Sequence, residues 1–213
     1  MHHGLYRPTL PLAHETALYT TSLGSLIGTL SVADSRRIGL ALALGVLRVC
    51  ETPWLEKQWG RDDIVLFEED GKVLADHPFV SADLRTASHP QIATHTSRQC
   101  FAPTALVGNE TIFALGIVLI ELCLEKRLED LSAPADFNAD GTKHVASDFF
   151  TATRVLDQVY DKAGTRYGDA VRRCIRCEFD QRKTTLDDAA FCRAVHDNVV
   201  AVLEEDVRQF FNL

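Results

Sequence analysis

Asn109-Glu110-Thr111-Ile112-Phe113-Ala114-Leu115-Gly116-Ile117-Val118-Leu119-Ile120-Glu121-Leu122-Cys123-Leu124 is the stretch that decides the fold. Its apolar residues fall on every face of a helix instead of along one stripe, which predicts a helix buried on all sides. Asn109 and Glu110 open it, and Gly116 in its middle predicts close approach of another backbone. Working outward, a second such run begins after Asp34 or Ser35, either a suitable N-cap, and continues from Ile38 to Leu47 before Pro53. Gly39 and Gly45 lie within it. The two runs are expected to pack together as the core, with Leu42 and Leu119 buried between them.

Around this pair the pattern is mainly helical. Leu23, Leu26, Ile27 and Leu30 predict a short amphipathic helix over 22–30. Ile64-Val65-Leu66-Phe67, the acidic turn Glu68-Glu69-Asp70-Gly71 and Lys72-Val73-Leu74-Ala75 predict a small β-hairpin, the one convincing β signal. Three further helices are expected near 147–162, 167–178 and 186–210, the last opened by Thr185 and Asp188 in a capping-box variant. Pro8 to Tyr19 carries no signal. We therefore expect an N-terminal extension over 1–21 and one helical domain over 22–213.

Composition narrows the function classes. The chain has 213 residues, 46% hydrophobic and 24% charged, enough for a core without disulfide or metal staples. Its 22 Lys+Arg against 30 Asp+Glu give a net charge of −8, which disfavours nucleic acid and anionic membrane as partners. No apolar run approaches the ~20 residues of a membrane span. Six cysteines without a secretory leader point to reduced thiols and a cytoplasmic location.

Motifs that could carry chemistry are incomplete. Cys174-Ile175-Arg176-Cys177 has C-x-x-C spacing but no second pair, and its cysteines fall on the apolar stripe of Tyr167, Val171 and Ile175. His89, His95 and Cys100, with His77 or Asp76, offer metal ligands without tight spacing. Asp136-Phe137-Asn138-Ala139-Asp140-Gly141 opens like a calcium loop, yet Ser147 stands where the bidentate glutamate belongs, so a solvated turn is expected. Neither a nucleophile elbow nor a phosphate-binding glycine loop is present. No cofactor is expected.

Three segments resemble the helical C-lobe of a protein kinase: Ser35 to Val49 with Asp63-Ile64-Val65-Leu66-Phe67; Asn109 to Leu128; and Ala170 to Ile175 followed by Asp180-Gln181-Arg182-Lys183-Thr184. The chain more closely resembles a fungal family of unknown function, kinase-like in its helical lobe and often joined to prion-inhibition or heterokaryon-incompatibility-type domains. That resemblance is carried by Thr52-Pro53-Trp54-Leu55, Trp59, Asp63-Ile64, Pro78-Phe79-Val80-Ser81, Gly116 to Leu122 and Tyr167 to Cys177. It implies a mainly α, kinase-C-lobe-like domain with a small hairpin and no N-lobe. It also implies lost catalysis, because Glu56-Lys57-Gln58 stand where the catalytic-loop triplet would be, leaving Gln58 in the base position. Thr111 replaces the anchoring Asp of that loop, and Ala102-Pro103-Thr104 lacks the Glu that would pair with Arg182. Asp63 and Asp76, 13 residues apart, keep the spacing of the two metal-binding positions and are the candidate metal or nucleotide contacts.

The function expected is thus a non-catalytic, pseudokinase-like interaction or regulatory module in fungal signalling or incompatibility, with a protein partner. The alternative is a residual nucleotide-binding or phosphotransfer enzyme that needs a partner-supplied N-lobe. The long segment from His77 to Gly108 is the candidate partner surface, with His77, His89, His95 and Arg98 as contact residues.

Overall fold

The computed structural model describes residues 18–49, 59–69, 71–80 and 104–212. It opens on a strand that the sequence does not announce: Leu18–Ser22 (β1) runs antiparallel to Ile64–Glu69 (β2), with Thr20 opposite Phe67 and Ser22 opposite Val65. The expected hairpin forms from β2 and Lys72–Val73 (β3), and a further two-residue strand, Phe79–Val80 (β4), returns beside the start of β2. β2 is therefore central, with β1 on one side and β3 and β4 on the other. Ile64 and Leu66 point to the core and are buried, while Val65, Phe67 and Phe79 share the opposite face.

The helix expected over 22–30 is a single turn, Leu23–Leu26 (α1), and Gly28, at φ 91°, turns the chain away behind it. Val32–Val49 (α2) starts earlier than either proposed cap. Ser31 Oγ accepts the Asp34 N–H at 3.0 Å and donates to Asp34 Oδ2 at 2.7 Å. A short turn, Thr104–Val107 (α3), leads to Glu110–Leu124 (α4), whose Asn109 cap accepts the Ile112 N–H at 2.9 Å. Every residue of α4 from Thr111 to Leu122 is buried. Burial of one Ile or Leu stabilises by ~1.5–3 kcal/mol, against helix-propensity differences of at most ~0.7 kcal/mol, so α4 is a helix because it is the core.

α2 is less enclosed than its sequence implies: one stripe of Ser35, Ile38, Gly39, Leu42, Ala43 and Val46 is buried and the other faces are partly open. That stripe lies on α4, as expected, and a Cβ on Gly39 would stand 2.9 Å from Leu119 Cδ2. Gly45 has no such role, since nothing lies within 4 Å of its missing Cβ.

The helix expected over 147–162 is broken at Val155 into Ser147–Arg154 (α5) and Leu156–Ala163 (α6). Thr165–Arg176 (α7) crosses α4, and its Tyr167 hydroxyl donates to the Leu119 carbonyl at 2.9 Å. The last helix comprises Ala189–Val195 (α8), a π turn over His196–Val200 and Ala201–Phe210 (α9). Asp188 itself caps it, accepting from Ala190 and Phe191 N–H groups. α9 is tied to α2 by the Arg36–Asp206 ion pair, with the Arg36 guanidinium 4.8 Å from the centre of the Phe210 ring. No helix among the described residues is long and apolar enough to cross a membrane.

Candidate functional site

Asp63 ends a 3-10 turn, Arg61–Asp63, and its Oδ2 accepts the Gly60 N–H at 2.9 Å, a local cap that sets the entry into β2. Asp76 is exposed in the turn between β3 and β4, where the His77 N–H reaches the Leu74 carbonyl. Asp63 is thus a backbone cap, and Asp76 faces solvent. No group of three or more His, Cys, Asp and Glu converges among the described residues. His77 is exposed beside β4. His89, His95, Arg98, Cys100, Glu56, Lys57 and Gln58 lie outside the described residues.

The two acids of the calcium-like loop are taken up by bonds within the chain, Asp136 buried and Asp140 at the surface. Asp136 Oδ2 accepts from Ala133 N–H at 2.8 Å, Thr151 Oγ1 at 2.9 Å and Arg154 Nη2 at 2.6 Å. Asp140 Oδ1 accepts both the N–H and the hydroxyl of Thr142. The C-x-x-C pair is likewise structural in its surroundings. Cys174 is fully buried and Cys177 half-buried in the left-handed position that ends α7, at φ 52°. Burial pushes the Cys174 thiol far up and the Cys177 thiol up to about 11, which disfavours the free thiolate that redox exchange uses.

A charged centre that the sequence reading missed lies under the sheet. Arg61, buried, pairs through Nη1 with Glu121 of α4 and through Nη2 with Glu129 at 3.0 Å. Glu121 Oε1 also accepts the Leu128 N–H at 2.8 Å, while its Oε2 is buried without a hydrogen-bond partner. Burial pushes the Glu121 carboxyl up to about 7 against the pull of Arg61. For Glu129, burial is outweighed by the Arg61 hydrogen bond and charge, which hold it below the usual carboxylate range. Trp59 Nε1 donates to the Thr111 carbonyl at 3.3 Å, adding a second tie between the segment before β2 and α4. The one signal available in sequence was a glutamate inside an otherwise apolar helix, since a fully buried carboxylate requires a cationic or hydrogen-bonding partner.

This anchorage holds a sheet whose outer face is apolar and open. Phe67 and Phe79 meet edge to face, ring centres 5.0 Å apart, and Phe79 is still 50% exposed. Val80 and, at the far end of β1, Tyr19 are exposed too, but on the other face of the sheet, opposite Ile64 and Glu68. Phe79 and Val80 belong to the segment beginning at His77 that the sequence singles out. Exposed aromatic side chains on a rigid element are the chemistry of protein docking.

A family model described as a domain of unknown function (DUF7580) matches residues 10–210. No curated protein and no solved structure matches the chain.

Proposed function

We propose, for a chain that belongs to the DUF7580 family of domains of unknown function, a non-catalytic role as a pseudokinase-like interaction or regulatory module. The partner is a protein, and the setting that the fungal resemblance implies is signalling or an incompatibility response. The observation that carries this reading is Phe79, half exposed on a two-residue strand that is itself fixed to the core through β2 and Arg61. A rigid, solvent-facing aromatic patch suits recognition, whereas phosphoryl transfer needs positioned metal ligands and a base. Asp63, the first candidate ligand, is engaged as a backbone cap.

Two measurements test the reading. Affinity capture with the full chain and with Phe79→Asp, scored by quantitative mass spectrometry, is expected to show a partner retained by the former and lost from the latter. Calorimetry with ATP and Mg²⁺, with autophosphorylation assays alongside, is expected to show neither micromolar affinity nor phosphate incorporation. Either activity, abolished in Asp63→Ala or Asp76→Ala, would replace this reading with the phosphotransfer alternative.

A further inference from the structure

The ladder geometry fixes which backbone groups of β1 are free. The Leu74 N–H donates to the Phe67 carbonyl, so Phe67 directs its main-chain groups toward β3 and its neighbours Leu66 and Glu68 direct theirs toward β1. In the antiparallel pairing, Thr21 and Tyr19 are the bonded partners of Leu66 and Glu68. The N–H and C=O of Thr20 therefore point away from β2, along an edge that pairs with no other described strand. Natural edges are usually blunted by lysine, proline, a bulge or shortness. Leu-Tyr-Thr-Thr-Ser is five residues long with none of the first three, and Tyr19 is 65% exposed.

The two faces flanking that edge differ in chemistry. On one, Thr20 continues the apolar surface of Val65, Phe67 and Phe79. On the other, Tyr19 stands opposite Glu68, whose other cross-strand neighbour is the uncharged Val73. No cation among the described residues pairs with Glu68.

We propose that β1 accepts a further strand from a partner protein: an extended segment alternating β-branched residues with lysine or arginine. Residues of a strand alternate between faces, so its apolar side chains would continue the surface of Thr20 and Phe67 while its cations lie on the Tyr19 side. A cation beside Tyr19 would be two strand spacings, about 9.6 Å, from Glu68, within the combined reach of the two side chains and across the face of the tyrosine ring. The inference rests on the reading of the sheet as the partner surface and specifies how that surface is used.

The test uses a fluorescein-labelled nine-residue peptide alternating valine with lysine, a matched peptide alternating valine with glutamate, and the full chain, read by fluorescence anisotropy. The lysine peptide is expected to bind saturably and the glutamate peptide at least tenfold more weakly, with Glu68→Lys inverting the preference. Thr20→Pro removes an N–H that makes no bond to β2, so the sheet is expected to keep its circular dichroism while peptide affinity falls at least tenfold. Thr20→Val, which keeps the N–H, should bind like the parent. If Thr20→Pro also unfolds the sheet, the lysine peptide N-methylated at alternate positions, in both phases, asks the same question from the other side. Undiminished binding with Thr20→Pro or with both methylated peptides, or equal binding of the two charge types, overturns strand addition. A dimer of the chain that Thr20→Pro makes monomeric also overturns it, in favour of a second copy at this edge. Binding insensitive to Thr20→Pro but lost in Phe79→Asp would leave the sheet as the docking surface and reject only this mode.

Discussion

Gly116 of α4 lies directly against Cys174 of α7: a Cβ on Gly116 would stand 2.9 Å from the Cys174 Cβ and 2.7 Å from Ile175 Cδ1. Because Cys174 Cβ is bound to backbone, an added methyl has to push the two core helices away from each other. Gly116→Ala is expected to destabilise by ~1–3 kcal/mol through overpacking, more than the ~1 kcal/mol that alanine gains over glycine in a helix. Gly45→Ala, with nothing within 4 Å, should stabilise by up to ~1 kcal/mol. Urea unfolding of the two variants, which have opposite expected signs, checks the close packing of α4 on α7.

Glu121 makes stability depend on pH. Its carboxyl is raised to about 7 from an ordinary value of 4.5, so between these the native state holds a proton that the unfolded chain has released. Stability is therefore highest on the acid side of this window and falls as pH rises through about 7, by ~3 kcal/mol for a shift of this size. Asp148, raised by burial against the pull of Lys143, acts in the same sense. Glu129 and Asp136, held low by their arginines despite desolvation, lose their contribution as pH falls through their native values. The expected optimum is weakly acidic. In urea titrations from pH 5 to 8, Glu121→Gln should flatten the descending limb; an unchanged slope would place the titration elsewhere.

Asp63 and Asp76 should separate in mutagenesis. Removing the Asp63 cap by Asp63→Ala is expected to cost ~1 kcal/mol of unfolding free energy, whereas Asp76→Ala, at an exposed turn, should stay within ~0.5 kcal/mol. Equal effects in thermal denaturation would contradict the capping role.

The thiols offer a chemical test of burial. Burial raises Cys123 and Cys177 to about 11 and Cys174 further still. Alkylation with iodoacetamide at pH 7.5, followed site by site by mass spectrometry, should be slower at all three by ~100-fold or more in the native protein than in urea. Rapid native labelling of Cys174 would be incompatible with its place against Gly116.

The core was legible because α4 states its burial in nearly every residue from Ile112 to Leu122, Glu121 excepted, and the Asn109 cap is local. β1 was not, because Leu-Tyr-Thr-Thr-Ser has no alternation to read and becomes a strand only through β2, more than forty residues later. β4 is two residues held by tertiary pairing. The candidate site was half legible: Phe79 and Val80 fall in the segment singled out, but the histidines of that segment and Asp63 carry the more conspicuous chemistry in sequence. Arg61 gives no sign of its role there because the charge it meets, on Glu121, is 60 residues away, and chain spacing carries no information about such a pair.

The π turn at His196–Val200 changes how the C-terminal helix tolerates insertion and deletion. A π turn takes up one residue more than an α turn while closing a similar rotation, so α9 presents the face it would present in a chain one residue shorter. Loss of a single residue within 196–200 would therefore leave Asp206 in phase with Arg36. Loss of one between 201 and 205 would swing Asp206 and Phe210 about 100° around the axis and unclasp the helix from α2. Length variation among related chains is thus expected to be confined to the π turn, while the stretch that follows keeps its count.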